Sequence, residues 1–437
     1  MPGTGFYSTA KIDGKWWFLT PDGKPFLSKA VTCVRSRGDR IGKTAVEPFH
    51  DNILKKFGSD HAWRQRAVRR LAEWGFNSIG AWSDPEASKI PVNGRNMPFT
   101  AVVNFGSRFV SLKQQNDQAW LAGIFPDVFD KDFSSIADET AAAACASLKN
   151  DPDLLGWFTD NELRWGPDWR GTDELLAMFM AMPQKAAGHR AAIRFLSERY
   201  REIGSFNEIW NSGAGSWEEL LEKGKPEPPF VFKALWEQNQ EVERTENSRD
   251  PRRAAFYADC EEFAGLLARR YGEQCRQAMK KADPNHLNLG CRFAYVPQPA
   301  VRAGIADNVD VISFNCYALD PQHAFDAYGP YDKPCLLGEF SFRGDDAGLP
   351  NARGAGPRVA TQADRAGAFE KFITIALRNP CMTGYHWFQY SDQPVEGRFD
   401  GENSNYGVVN IGDEPYESLV GAMKKVNKNA EELHVKG

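Results

Sequence analysis

The chain lacks the residue patterns by which most metal and cofactor enzymes are recognised. Its seven histidines (His50, His61, His189, His286, His323, His386 and His434) include no HExxH and no close pair, which argues against a zinc hydrolase. The eight cysteines contain no CxxC spacing, and five fall in or beside strand-like runs, as buried single thiols do. No GxGxxG opens a βα unit, no Walker-type loop occurs and no G-x-S-x-G elbow marks an esterase. Chemistry without a cofactor or a metal, carried by acids and bases, is what remains.

Long apolar runs are missing too. The stretch Leu154 to Phe158 is far shorter than the roughly 20 residues of a membrane span. A net charge of −5 and an isoelectric point near 5.9 give no general attraction for nucleic acid or an anionic membrane. The opening Met-Pro-Gly-Thr-Gly has neither the basic start nor the apolar run of a signal peptide. That leaves the compartment open, with secretion or periplasmic delivery remaining for a chain whose signal has been removed.

What is present is an ordinary globular composition, 42% hydrophobic and 25% charged over 437 residues, enough for a large core. The segment from Lys11 to Leu27 holds two turn signals, Asp13-Gly14 and Asp22-Gly23, around an aromatic run, and reads as a short N-terminal β-hairpin. Eight apolar runs then read as strands: Leu27–Val34, Phe76–Trp82, Phe99–Phe105, Leu154–Thr159, Leu287–Phe293, Val309–Phe314, Cys335–Phe340 and Met382–Gln389. Helical periodicity over Ala62–Trp74, Phe133–Leu148, Ala254–Lys281 and Ala363–Leu377, with shorter candidates after the third, fifth and sixth strands, separates them. Alternating strand and helix implies parallel strands with right-handed crossovers, and eight such units close as an α/β (β/α)8 TIM barrel.

Residues 1–437 therefore read as one catalytic barrel domain. Residues 163–253 are too long for a βα loop and read as an insertion over the catalytic face, carrying Trp165, Trp169, Trp210, Trp217, Trp236 and the Pro-rich stretch from Lys225. Two roles are open for it: closing one end of a cleft, which would enforce exo action, or contacting a second copy in a homo-oligomer. The Lys/Glu-rich tail from Lys424 reads as a solvated final helix.

Two strings carry the chemistry. Gly-Trp-Phe-Thr-Asp-Asn-Glu ends at Glu162, and Leu-Leu-Gly-Glu-Phe carries Glu339, so each places a carboxylate where an apolar strand meets a polar loop. A charge at such a terminus is costly unless it is paired or functional. Glycoside hydrolysis needs two such groups in one cleft, about 5–5.5 Å apart for retention and about 6.5–9.5 Å for inversion. If the fourth strand stays regular, Glu162 shares a face with Asp160 and Asn161 points elsewhere.

Other strand ends supply polar and aromatic groups. Asn315 and Tyr317 follow the sixth strand, where they either bind substrate and keep a carboxylate ionised or form a satisfied polar pair. On the eighth, Trp387 is a candidate sugar-stacking floor and His386 a candidate hydroxyl donor, against the reading that both are core. Arg35, in the cluster Arg35-Ser-Arg-Gly-Asp-Arg40 after the first strand, is a candidate donor to an anionic or heavily hydroxylated sugar, against a solvated loop. Arg292 after the fifth strand and Trp82 after the second complete the cleft, with Trp165 beside it.

The strings Trp-Phe-Thr-Asp-Asn-Glu162-Leu-Arg-Trp-Gly166 and Gly338-Glu339-Phe340, with the N-terminal Lys11-Ile-Asp-Gly-Lys-Trp-Trp-Phe-Leu-Thr-Pro-Asp-Gly, resemble the β-agarase-type family 50 glycoside hydrolases of the retaining (β/α)8 clan A. The resemblance implies Glu162 as acid/base, Glu339 as nucleophile, Asn161 at the sugar 2-hydroxyl, Tyr317 beside Glu339, and retaining cleavage of a β-galactosidic bond without cofactor. Such agarases carry a further carbohydrate-binding-like domain before the barrel, whereas here the first strand already begins at Leu27. The expected partner is a carbohydrate substrate. Two other readings use the same residues: a catalytically silent glycan-binding barrel and a transglycosylase.

Overall fold

The computed structural model describes residues 2–223, 226–233 and 237–437; Lys225 and Trp236 lie outside the described residues. Three short strands open it: β1 (Ser8–Ile12), β2 (Lys15–Leu19) and β3 (Pro25–Phe26) form an antiparallel sheet in that order. Ile12 pairs with Lys15, so Asp13 and Gly14 alone make the first turn, at φ 50° and φ 81°. Both are left-handed, as a two-residue hairpin loop demands, and an Asp-Gly dipeptide meets that demand at little steric cost.

Eight further strands form a parallel sheet: β4 (Ser28–Val31), β5 (Ser78–Ile79), β6 (Phe99–Val102), β7 (Leu154–Phe158), β8 (Leu287–Asn288), β9 (Ile312–Asn315), β10 (Cys335–Phe340) and, after the small pair β11 (Arg343–Gly344) and β12 (Arg358–Val359), β13 (Met382–Trp387). Their order is β8-β7-β6-β5-β4-β13-β10-β9. The two ends meet: Phe293, beyond β8, bridges Phe314 of β9, and the Asn315 amide donates to the Phe293 carbonyl at 2.7 Å. The result is a curled TIM-like sheet with helices outside.

Side-chain alternation sorts the strands into two cores. Leu155, Leu289, Val311 and Leu336 pack with Tyr7 and Phe18 of the N-terminal segment in one. Outward residues such as Tyr385 and Trp387 join the helix-facing core with Phe369, Phe372 and Met423. The final helix, Glu417–Lys436, contributes to this core through Leu419, Val420, Met423, Val426 and Ala430. The expectation of a solvated tail is therefore corrected, because an apolar stripe runs along one face between the charged residues.

Between β7 and β8, helices Leu175–Met180, Ala187–Tyr200, Ile203–Trp210, Trp217–Lys223 and Glu237–Asn247 precede the long helix Pro251–Ala282. The second and third of these meet it at Asp259, whose buried carboxylate accepts from Tyr200 Oη at 2.6 Å and Trp210 Nε1 at 2.7 Å. No helix among the described residues is long and apolar enough to cross a membrane.

Candidate active site

The turn after β7 is anchored by Asp160, not by Glu162. Asp160 is fully buried and accepts from the Gly106 amide at 2.8 Å, the Ser107 amide at 3.3 Å and Tyr271 Oη at 2.6 Å. The two amides belong to the first turn of helix Phe105–Gln114, whose free N–H groups favour an acceptor there. Burial still outweighs these donors and raises the Asp160 carboxyl to about 6.

With Asp160 tied to that helix, the chain leaves the strand direction. Glu162 adopts a left-handed backbone at φ 52°, its amide donates to the Arg292 carbonyl at 3.1 Å, and its own carbonyl accepts from Arg170 Nη1 at 2.9 Å. The regular-strand expectation for Asp160 and Glu162 fails at this turn. Glu162 is 7% exposed, and its Oε1 accepts from Asn315 Nδ2 at 2.8 Å.

Glu339 enters from β10, where the pairing with β9 is irregular and Glu339 sits opposite Asn315. One carboxylate oxygen accepts from Arg292 Nη2 at 2.8 Å and the other from Tyr317 Oη at 2.5 Å. Asn315 thus neighbours Glu339 along the backbone while holding Glu162 with its side chain. Arg292 also spans both groups, through its carbonyl to Glu162 and its guanidinium to Glu339.

Arg292 is fully buried and lies over the rings of Trp82, at 4.3 Å, and Phe158, at 4.8 Å. Its Nε and Nη1 have no hydrogen-bond partner among the described residues. A planar guanidinium suits this slot, because it stacks on both rings and still presents its edge to a carboxylate. Glycine at 338 gives the slot its room: a Cβ there would lie 3.0 Å from Arg292 Nε and 3.1 Å from Asn315 Oδ1.

The electrostatics of the two carboxyls differ in kind. Burial, and then the Glu339 charge, push Glu162 up to about 7, against smaller opposing effects from Asn315, Arg170 and Arg292. Burial raises Glu339 as well, but the Arg292 charge and the Tyr317 hydroxyl act directly on it to favour ionisation. Two carboxyls that share one buried region do not both ionise readily, and these contacts favour the proton on Glu162.

Among the other sequence candidates, Asn161 is half-buried with its Oδ1 3.5 Å from Asn315 Nδ2, and Tyr317 and Trp82 line the same region. Arg35 donates to Asp39 at 2.6 Å, and Asp39 also accepts from Gln389 Nε2 at 2.9 Å. Three assignments are corrected. Trp387 has no exposed surface: its indole N–H donates to the Tyr406 carbonyl at 2.9 Å and its ring packs on Phe340 and Phe369, because alternation along β13 turns it outward. His386 points inward but is held by Ser28 Oγ at 2.9 Å, and burial with the nearby Arg292 charge pushes it down to about 3, leaving it neutral. Trp165 is core, with its ring against Phe125 and Tyr271.

Sequence reasoning missed Arg170 and Arg398. Arg170 is paired with Asp168 at 2.5 Å and reaches the Glu162 carbonyl from inside the insertion. Arg398, in the loop after β13, pairs with Glu402 at 2.7 Å, and the charges of both act on Glu339. Neither belongs to a strand end, so no periodic signal pointed to them.

A TIM-like sheet carrying two buried carboxyls of unlike character at its strand ends is the arrangement that glycoside hydrolases use. No family model matches the chain. It is similar to β-agarase B of Vibrio sp. (strain JT0107), 28% identical over 501 residues, covering 100% of this chain and 49% of that protein. To β-agarase A of the same strain it is 31% identical over 403 residues, covering 88% of this chain and 37% of the other. The chain thus spans about half the length, or less, of these curated relatives. The crystal structure of the agarase AgWH50C matches it with a TM-score of 0.76 at 26% identity, over 99% of this chain and 66% of that one. The chain is thus similar to agarases in sequence and in fold.

Proposed function

We propose that this chain is a retaining β-glycoside hydrolase that cleaves a β-galactosidic bond of an agarose-type polysaccharide, or of its oligosaccharides, by double displacement. The observation that carries the reading is the unequal setting of the two carboxyls. Glu162 is buried with one neutral donor and a raised pKa near 7, whereas Glu339 holds both a guanidinium and a phenol.

In the first step the Glu339 carboxylate attacks the anomeric carbon, the glycosidic C–O bond breaks, and Glu162 gives its proton to the departing oxygen. In the second, Glu162 takes a proton from water as that water attacks the anomeric carbon and releases Glu339. Asn161 is assigned to the sugar 2-hydroxyl, and Arg292 to keeping the Glu339 carboxylate ionised. Residues 163–253 are assigned to cover one side of the cleft, a role that the bond from Arg170 to the Glu162 carbonyl supports.

Replacing Glu339 with Gln tests the reading. Turnover of agarose oligosaccharides should vanish while calorimetric binding of the same sugars persists. Substantial residual turnover would reject the assignment, and binding without turnover in the unaltered chain would favour a silent glycan-binding barrel.

A further inference from the structure

Most aromatic residues among the described ones are buried or partly buried. Among the described residues only two remain exposed, Trp169 at 41% and Phe399 at 54%, one in the segment after β7 and the other in the segment after β13. Both face the same third ring. Trp120 lies 6.5 Å from Trp169 and 6.4 Å from Phe399, with interplanar angles of 59° and 58°. Burial is the default for such rings, so a pair left open around a common neighbour calls for a partner that covers it.

Contacts beneath this trio lead to the candidate catalytic residues. The Arg170 guanidinium lies 4.4 Å from the Trp169 ring centre and 5.9 Å from that of Trp120, and its Nη1 donates both to the Trp120 carbonyl at 3.0 Å and to the Glu162 carbonyl at 2.9 Å. Trp120 also lines a small hollow with Asn161, Glu162 and Arg170. On the far side, Arg398 lies 5.2 Å from the Phe399 ring and acts on Glu339 through its charge. The indole N–H of Trp120 is buried without a hydrogen-bond partner among the described residues.

We propose that Trp120, Trp169 and Phe399 form a sugar-binding platform, which seats a pyranose unit of the polysaccharide chain next to the unit that is cleaved. The occupant is argued from chemistry. A neutral pyranose offers an apolar C–H face to an aromatic ring, and two open rings set around a shared third match that face. A polypeptide segment would need main-chain partners, and the Arg170 guanidinium beneath the rings is already committed to Asp168, Trp120 and Glu162. Continuity with Glu162 through Arg170 makes the platform an extension of the cleft. The inference rests on the proposed hydrolase reading for its substrate class.

The test uses the full chain in two forms. In the active protein, the double substitution Trp169→Ala and Phe399→Ala should raise KM for an agarose-derived hexasaccharide about tenfold or more, with a much smaller change in kcat, a tenfold change corresponding to about 1.4 kcal/mol of lost binding. The preference for the hexasaccharide over a disaccharide should shrink accordingly. Trp169→Phe and Phe399→Tyr keep a ring and should restore most of the affinity, which a merely structural role in holding the loops would not require. In the Glu339→Gln background, hexasaccharide binding by calorimetry should weaken to the same degree in the Ala pair. Unchanged KM and unchanged binding would overturn the platform while leaving the hydrolase reading intact. Binding that depends on the two rings, in a chain that never cleaves the sugar, would uphold the platform and reject the hydrolase.

Discussion

Arg292 and Glu339 are joined at 2.8 Å, and the same Arg292 accepts the amide of Glu162 at its carbonyl. One residue therefore fixes the backbone of one carboxyl and the charge of the other. Arg292 is itself held at φ 48°, between the rings of Trp82 and Phe158. The expectations below follow from that coupling.

The pH profile should be limited on its basic side by Glu162. As the proton donor it must be protonated, so kcat/KM should fall as pH rises through about 7. The stability consequence has the same sign. Its folded pKa lies above the unfolded value, so its favourable contribution is present below the unfolded pKa and is lost as pH rises through about 7. Glu162→Gln should accordingly lose activity yet unfold at a higher temperature than the unaltered chain at pH 8, with the gap closing towards pH 4. Differential scanning calorimetry across that range checks it; a variant less stable at pH 8 would contradict the buried, raised carboxyl.

Tyr317→Phe removes one of two donors to Glu339 and little else. A hydrogen bond to a charged group contributes about 2 kcal/mol, so kcat should fall roughly thirtyfold. Losing the donor also raises the Glu339 pKa, which moves the acidic limb of the profile upwards. A loss of rate with an unmoved acidic limb would mean that Tyr317 acts elsewhere.

Gly338→Ala touches neither carboxyl directly. Its Cβ would press on Arg292 Nε and Asn315 Oδ1, the residues that hold Glu339 and Glu162 respectively. Displacement by a few tenths of an ångström in both should lower kcat by about tenfold or more while the fold persists. Steady-state kinetics beside a thermal melt separates the two effects. Full activity would show that the tight fit around Arg292 carries no catalytic weight.

Trp387→Ala should behave as a core truncation, costing about 3–5 kcal/mol of stability. Chemical denaturation measures it. An unchanged midpoint accompanied by a raised KM would return Trp387 to the sugar-stacking role that its strand position first suggested.

Much of this arrangement was legible from residue order. The run Cys335–Phe340 coincides with β10, and Leu154–Thr159 overruns β7 by one residue, because uninterrupted apolar runs are what strands buried on both faces look like. The runs around β5 and β8 shrink to two paired residues each, and beyond them the chain leaves extended geometry at Trp82, φ 59°, and at Gly290, φ 78°. Glu162 and Glu339 were legible as polar groups at strand ends, and the structure brings Asn315, Tyr317 and Arg292 to them. Facing was less legible. Parity along β13 puts Trp387 outside and His386 inside, but that parity depends on where the ladder begins. Arg170 and Arg398 could not be read from order at all, because their contacts run between loops that meet only once the sheet has curled.

The most direct measurement of the central claim is the anomeric configuration of the first product, followed by proton NMR during hydrolysis of an agarose oligosaccharide. Double displacement through Glu339 predicts that the β-anomer appears first and then mutarotates. Initial appearance of the α-anomer would contradict a covalent role for Glu339 and, with it, the division of labour assigned to the two carboxyls.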